Sequence, residues 1–129
     1  MTKDERLKMY SDYLKAEGYS PETIKEGVVF KAEGKTYVIM VDENDEQFFR
    51  LVFPNFWSID NDKERLKVVA ASSHSTGATK VAKIFPVDNN TWGTIELFVA
   101  SPDHFKGVFS RSMSALQAAV QTFVGQMKS

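Results

Sequence analysis

The sequence predicts an α+β fold: an antiparallel five-stranded sheet packed against helices, in the order α-β-β-β-α-β-β-α. Three observations predict it. Gln47 to Trp57 reads QFFRLVFPNFW, with five Phe or Trp among eleven residues. That composition suits a strand buried on both faces for part of its length, and Pro54 would break a helix. Next, three strand-like runs follow one another across short polar turns, so neighbours must pair as a meander. Last, an apolar stripe at helical spacing runs from Phe105 to Met127.

The elements follow in order. Lys3 to Glu17 is a helix, with Leu7, Tyr10 and Leu14 on one face and Tyr13 beside them. Thr2 or Asp4 caps it, and Gly18 ends it. Ser20-Pro21-Glu22 starts a short helical turn in the connector. Val28 to Ala32 and Thr36 to Val41 are strands joined at Glu33-Gly34-Lys35, where Gly supplies a positive φ. Asp42 to Glu46 (DENDE) is the polar turn before the Gln47 to Trp57 strand. Asp60 or Asn61 caps a helix over Asp62 to Ser73, whose inner stripe is Leu66, Val69, Ala70 and Ser73. Ser72 to Thr79 is a loop. Lys80 to Val87 and Thr91 to Ala100 are strands around an Asp88-Asn89-Asn90 turn. Ser101 caps the last helix, with Pro102 in its first position, and it runs to about Met127.

The 129 residues suit a single domain, 1–129. With 43% hydrophobic and 26% charged residues, the chain is globular rather than disordered. Its 16 basic and 17 acidic residues leave a net charge of -1, which gives no general attraction to nucleic acid or to an anionic membrane. No cysteine is present, so disulfides, thiolate metal sites and cysteine nucleophiles are excluded. No run approaches a membrane span or a signal-peptide core, and a cytoplasmic location is expected.

Alternation divides the strands into two faces. The helix-covered face takes Val28, Phe30, Tyr37, Ile39, Val41, Phe49, Leu51, Phe53, Ile95, Leu97 and Val99. The other takes Val29, Lys31, Val38, Met40, Phe48, Arg50, Val52, Trp92, Thr94, Glu96 and Phe98, joined by Val81, Lys83 and Phe85. This second face mixes charge with large apolar groups, so it is either covered by the chain's own second helix or loops, or is a homodimer interface, or takes another partner or ligand. Its candidate partner-binding residues are Phe48, Arg50, Phe85, Trp92, Glu96 and Phe98, with Arg50 and Glu96 fixing register.

Motifs for catalysis are absent. His74 lies in SSHST without a GxSxG turn, and His104 sits near the start of the last helix. Neither has metal-ligand spacing. Asp42 to Glu46 lacks the central Gly and distal Glu of a calcium loop, and reads as a hairpin turn. Lys31 and Lys35 around AEGK form no phosphate loop. Lys80 and Lys83 add a small basic spot. Aromatics on an open sheet can stack bases, but Glu96 sits among them and no cationic surface supports that use. No catalytic residue, metal or cofactor is expected.

The early helix YSDYLKAEGY, the segment VVFKAEGKTYVIMVDENDEQFFRLVFPNFW and the late GTIELFVASPDHF, with the element order, resemble the YbjN family of bacterial proteins. That family shares the fold of the class I type III secretion chaperones. The resemblance implies a small dimer-forming α+β domain without catalytic residues. Secretion chaperones hold an extended effector segment against apolar sheet and helix surface, and YbjN-like proteins are labelled sensory transduction regulators. The chain's charge of -1 departs from the more acidic chaperones.

The expected function is therefore a non-catalytic bacterial protein-binding module acting through the apolar sheet face. Its partners are a second copy of the chain and an extended segment of another protein added at a sheet edge. The alternative is a small-ligand pocket between the sheet and the C-terminal helix, with some enzymatic use. His104, Tyr10 or Tyr13 would mark such a pocket. A third reading is a structural subunit of a larger assembly.

Overall fold

A computed structural model describes residues 1–129. The first helix, α1, spans Lys3–Ala16. Thr2 caps it in a reciprocal box: the Glu5 N–H donates to Thr2 Oγ1 at 3.1 Å, and the Thr2 N–H donates to Glu5 Oε1 at 2.9 Å. Leu7, Tyr10 and Leu14 turn inward as the spacing predicts. Arg6 is buried as well; its guanidinium donates to the carbonyls of Asp42 and Phe48 and so ties α1 to the end of the meander.

The sheet has six strands, one more than the sequence predicts. The addition is β1, Glu22–Thr23, which pairs with Val28 and Val29. The expected helical turn at Ser20-Pro21-Glu22 is instead extended chain. The other strands are β2 (Gly27–Ala32), β3 (Lys35–Met40), β4 (Phe48–Phe53), β5 (Ala82–Val87) and β6 (Asn90–Phe98). All pairs are antiparallel, in the order β1-β2-β3-β4-β6-β5. Strand β6 thus lies between β4 and β5. The β2–β3 turn uses Glu33 and Gly34 at φ of 53° and 77°, the backbone a tight hairpin needs.

One register row shows where the core lies. Val28, Ile39, Leu51, Ile95 and Ala82 stand side by side across five strands, and all are buried under the helices. Strand β4 ends at Phe53; Pro54 has no N–H for a continuing ladder. Beyond it Phe56 and Trp57 leave the sheet and pack edge-on to Phe123 at 5.3 and 5.7 Å.

Helix α2 spans Asp62–Ala78, capped by Asn61, and corrects the sequence reading twice. It runs through the expected loop, and Ser75 and Thr79 there donate to the helix's own carbonyls at Ser72 and Ser75 instead of leaving the helix. Its inward residues are Val68, Ala71, Ser72 and Ser75, whereas Leu66 is 75% exposed and Val69 is 49% exposed. The expected stripe was out of phase because apolar residues occupy both faces of its first turns.

The C-terminal helix is also divided. Pro102–Gly107 forms a 3-10 turn, Val108 breaks it, and α3 follows over Phe109–Met127. Ser101 makes no capping bond; its hydroxyl donates to Asp103. Met113, Leu116, Val120, Phe123 and Met127 carry the buried stripe as predicted. Leu116 and Val120 come close to the sheet where Gly93 offers no side chain.

Candidate functional site

All three helices pack on the side of Val28, Ile39, Leu51 and Ile95. The opposite face carries no helix, and the six candidate residues lie on it in register. Phe48 stands opposite Phe98, Arg50 opposite Glu96, and Phe85 opposite Trp92. Alternation along each strand puts these pairs on one face, in line with Met40 and Val52. Val81 does not join them. It leaves β5 with φ of 68° and lines a groove on the helix side.

The face has a polar centre between two aromatic flanks. Glu96 Oε1 accepts from Lys83 Nζ at 3.1 Å. Glu96 Oε2 accepts from Thr94 Oγ1 at 2.9 Å and lies 3.6 Å from Arg50 Nε. Arg50 also reaches the Met40 sulfur at 3.3 Å. The charges therefore form one chain across β3, β4, β6 and β5, closed within the protein. Burial pushes the Glu96 carboxyl up, but the Lys83 and Thr94 hydrogen bonds and the two cations outweigh it and hold the group below its ordinary range.

On one flank the Phe48 and Phe98 rings lie 6.0 Å apart, and Phe98 is 82% exposed. On the other, Trp92 donates its indole N–H to Asn55 Oδ1 at 2.9 Å beside Phe85. Val52, between the flanks, is fully buried by its neighbours alone. A shallow depression of about 500 Å³ crosses Met40, Phe48, Arg50 and Glu96.

A second concavity, of about 660 Å³, lies between β6 and α3 on the helix side. The expected pocket markers are elsewhere. Tyr10 is sealed in the core and Tyr13 is half-buried, both edge-on to Phe105. Burial raises the pKa of both phenols. His104 is exposed in the 3-10 turn, and His74 is exposed on α2 rather than in a loop. No cluster of three His, Asp or Glu could hold a metal ion. No helix is long and apolar enough to cross a membrane.

The groove lies between the sheet and the C-terminal helix, where the alternative reading expects a pocket, but none of the residues expected to mark it lines it. Its walls come from the α2–β5 connection, the end of β6 and α3, and no local motif marks that junction.

No protein-family model and no curated protein matches the chain. Two solved structures are similar over nearly its whole length. An uncharacterized protein from Methanothermobacter thermautotrophicus is 13% identical, with a TM-score of 0.61 over 95% of this chain and 97% of that one. YbjN from E. coli, described as a proposed transcription regulator, is 14% identical, with a TM-score of 0.62 over 93% of this chain and 92% of that one. At such identity the likeness carries the architecture alone. The six-stranded sheet with its three helices is a YbjN-like fold.

Proposed function

We propose that this chain is a non-catalytic protein-binding module, regulator- or chaperone-like, that acts in the bacterial cytoplasm as a homodimer joined through the uncovered sheet face. The observation that carries the reading is Phe98, 82% exposed beside Phe48 on a face without a helix. Paired aromatic groups in water favour a cover. A second sheet at the usual spacing of about 10 Å would supply one. The polar centre does not oppose this, since both Glu96 oxygens already have partners. The expected addition of an extended segment at a sheet edge is less well supported, because the outer edge of β5 is closed by Thr76 and Pro86.

Light scattering after size exclusion tests the reading. The unmodified chain runs as a dimer. Phe98→Ala and Trp92→Ala each weaken it by more than about 1 kcal/mol, the level of an important contact. Retained dimer in both variants, with circular dichroism unchanged, refutes the face as the interface.

A further inference from the structure

We propose that the groove between β6 and α3 is a separate binding site for an aliphatic carboxylate. Its volume of about 660 Å³ falls within the range of small-ligand sites. Val81, Ile95, Leu97, Val108, Ala115 and Ala118 belong to its apolar lining, and none of its lining residues is aromatic. The chain has ten Phe, four Tyr and two Trp, so their absence here is selective. A lining of this kind offers no ring for a base or an aromatic ligand to stack on, and suits a hydrocarbon chain.

Charge defines the other end of the ligand. Lys80 and Arg111 line the groove, and no Asp or Glu does. Neither cation is in a salt bridge. Two uncommitted cations beside an apolar trough complement a carboxylate on an apolar tail, and guanidinium can grip both its oxygens.

The groove exists because β5 turns away from β6. The Ala82 N–H donates to the Lys80 carbonyl at 2.7 Å, and Val81 takes φ of 68°. No backbone bond joins Val81 to Glu96, so the ladder stops at Ala82 opposite Ile95. A β-branched residue in the left-handed region is strained, and such residues persist where a site needs the path they create. Val99 donates to Gln47 on the β4 side, so period-two alternation turns only Glu96 and Phe98 toward the gap. That edge is short for strand addition, which favours a small ligand over a peptide.

Calorimetry with dodecanoate, below its micellar concentration, tests the proposal on the unmodified chain. One saturable site is expected, with dodecyltrimethylammonium binding at least tenfold more weakly. Arg111→Ala combined with Lys80→Ala lowers dodecanoate affinity at least tenfold, and Ala118→Trp, which fills the groove from α3, abolishes it. Amide shifts in an NMR titration centre on Leu97 and Ala115. No saturable binding overturns the proposal. So does equal affinity for the cationic amphiphile, or shifts centred on Trp92 and Phe98. An acidic peptide that binds where dodecanoate does not also overturns it. If either variant fails to fold, the comparison of the two amphiphiles on the unmodified chain decides. The dimer interface and this groove lie on opposite sides of the sheet, so either reading can fail alone.

Discussion

Thr76 Oγ1, on α2, accepts the Ile84 N–H at 2.9 Å and donates to the Ile84 carbonyl at 3.4 Å. One hydroxyl thus occupies both outward backbone groups at the middle of the edge strand. The neighbouring outward positions are closed too: the Ala82 N–H is taken by Lys80, and Pro86 has none. A free edge of this length would be a template for pairing with another chain. Thr76→Val keeps the shape and removes the guard. It should cost about 1 kcal/mol in urea unfolding, the net value of a typical hydrogen bond, and raise self-association at high concentration. Unchanged light scattering would show that Pro86 and the Ala82–Lys80 bond suffice to blunt the edge.

Two glycines should respond differently to Ala. A Cβ on Gly27 would lie 2.0 Å from the Ile39 carbonyl oxygen, a backbone atom that the sheet holds in place. A Cβ on Gly93 would meet the Leu116 and Ile84 methyls at 2.9 and 3.0 Å, and side-chain ends can move. Gly27→Ala should therefore cost about 3 kcal/mol or prevent folding, and Gly93→Ala about 1 kcal/mol. Thermal unfolding of both variants checks the order; a reversed order would mean that α3 cannot shift from the sheet.

Much of this architecture is legible in the chain, and the misses have physical causes. In β2, β3, β4 and β6 strict alternation assigns the faces correctly, since the buried residues Val28, Phe30, Tyr37, Ile39, Phe49, Leu51 and Ile95 are all on the expected side. Strand β1 escapes because its two exposed polar residues carry no period. Helix α2 escapes in part because Ser72 and Ser75 are buried while Leu66 faces water. Both serines are small enough for a close contact that a larger residue could not make; the Ser75 hydroxyl donates to the Ser72 carbonyl, whereas Ser72 Oγ is buried without a partner. The candidate face was legible because alternation sorts each strand's residues onto two sides; the β4–β6 register that pairs Phe48 with Phe98 was not, since α2 and β5 intervene in the chain. A pocket between the sheet and the C-terminal helix was the alternative reading, but its lining was not legible, since it depends on where β5 departs from β6.

Acid should weaken the fold through Glu96. Its folded pKa lies below the ordinary value of 4.5, so its contribution to stability is present above that value and is lost as pH falls through the lowered folded pKa. Glu96→Gln should flatten this part of the curve and reduce stability near neutrality. Urea midpoints from pH 7 down to about pH 3 measure it, over the range in which carboxylates titrate. Parallel curves for the two proteins would show that the Lys83–Glu96–Arg50 chain contributes nothing net.

The uncovered face holds one residue important to stability and one that is not. Val52 is fully buried although no helix covers it, so Val52→Ala should cost about 2 kcal/mol. Phe98 is largely exposed, and Phe98→Ala should change monomer stability by no more than about 0.5 kcal/mol. Denaturation at low protein concentration separates these costs from dissociation of the proposed dimer. A large loss for Phe98→Ala there would show that its ring supports the monomer.

Four residues other than glycine have positive φ: Glu33, Asn55, Val81 and Asp88. Asn and Asp tolerate this region through local hydrogen bonding, and Glu33 sits in a tight hairpin; Val81 is the β-branched exception. It is 54% exposed, so replacing its apolar side chain by a polar one forfeits little burial. Val81→Asn should keep the same backbone path at lower strain and stabilise the fold by about 1 kcal/mol. A rise in the melting temperature measures the effect. A fall in melting temperature would mean that Val81's apolar contact in the groove outweighs the backbone strain it carries.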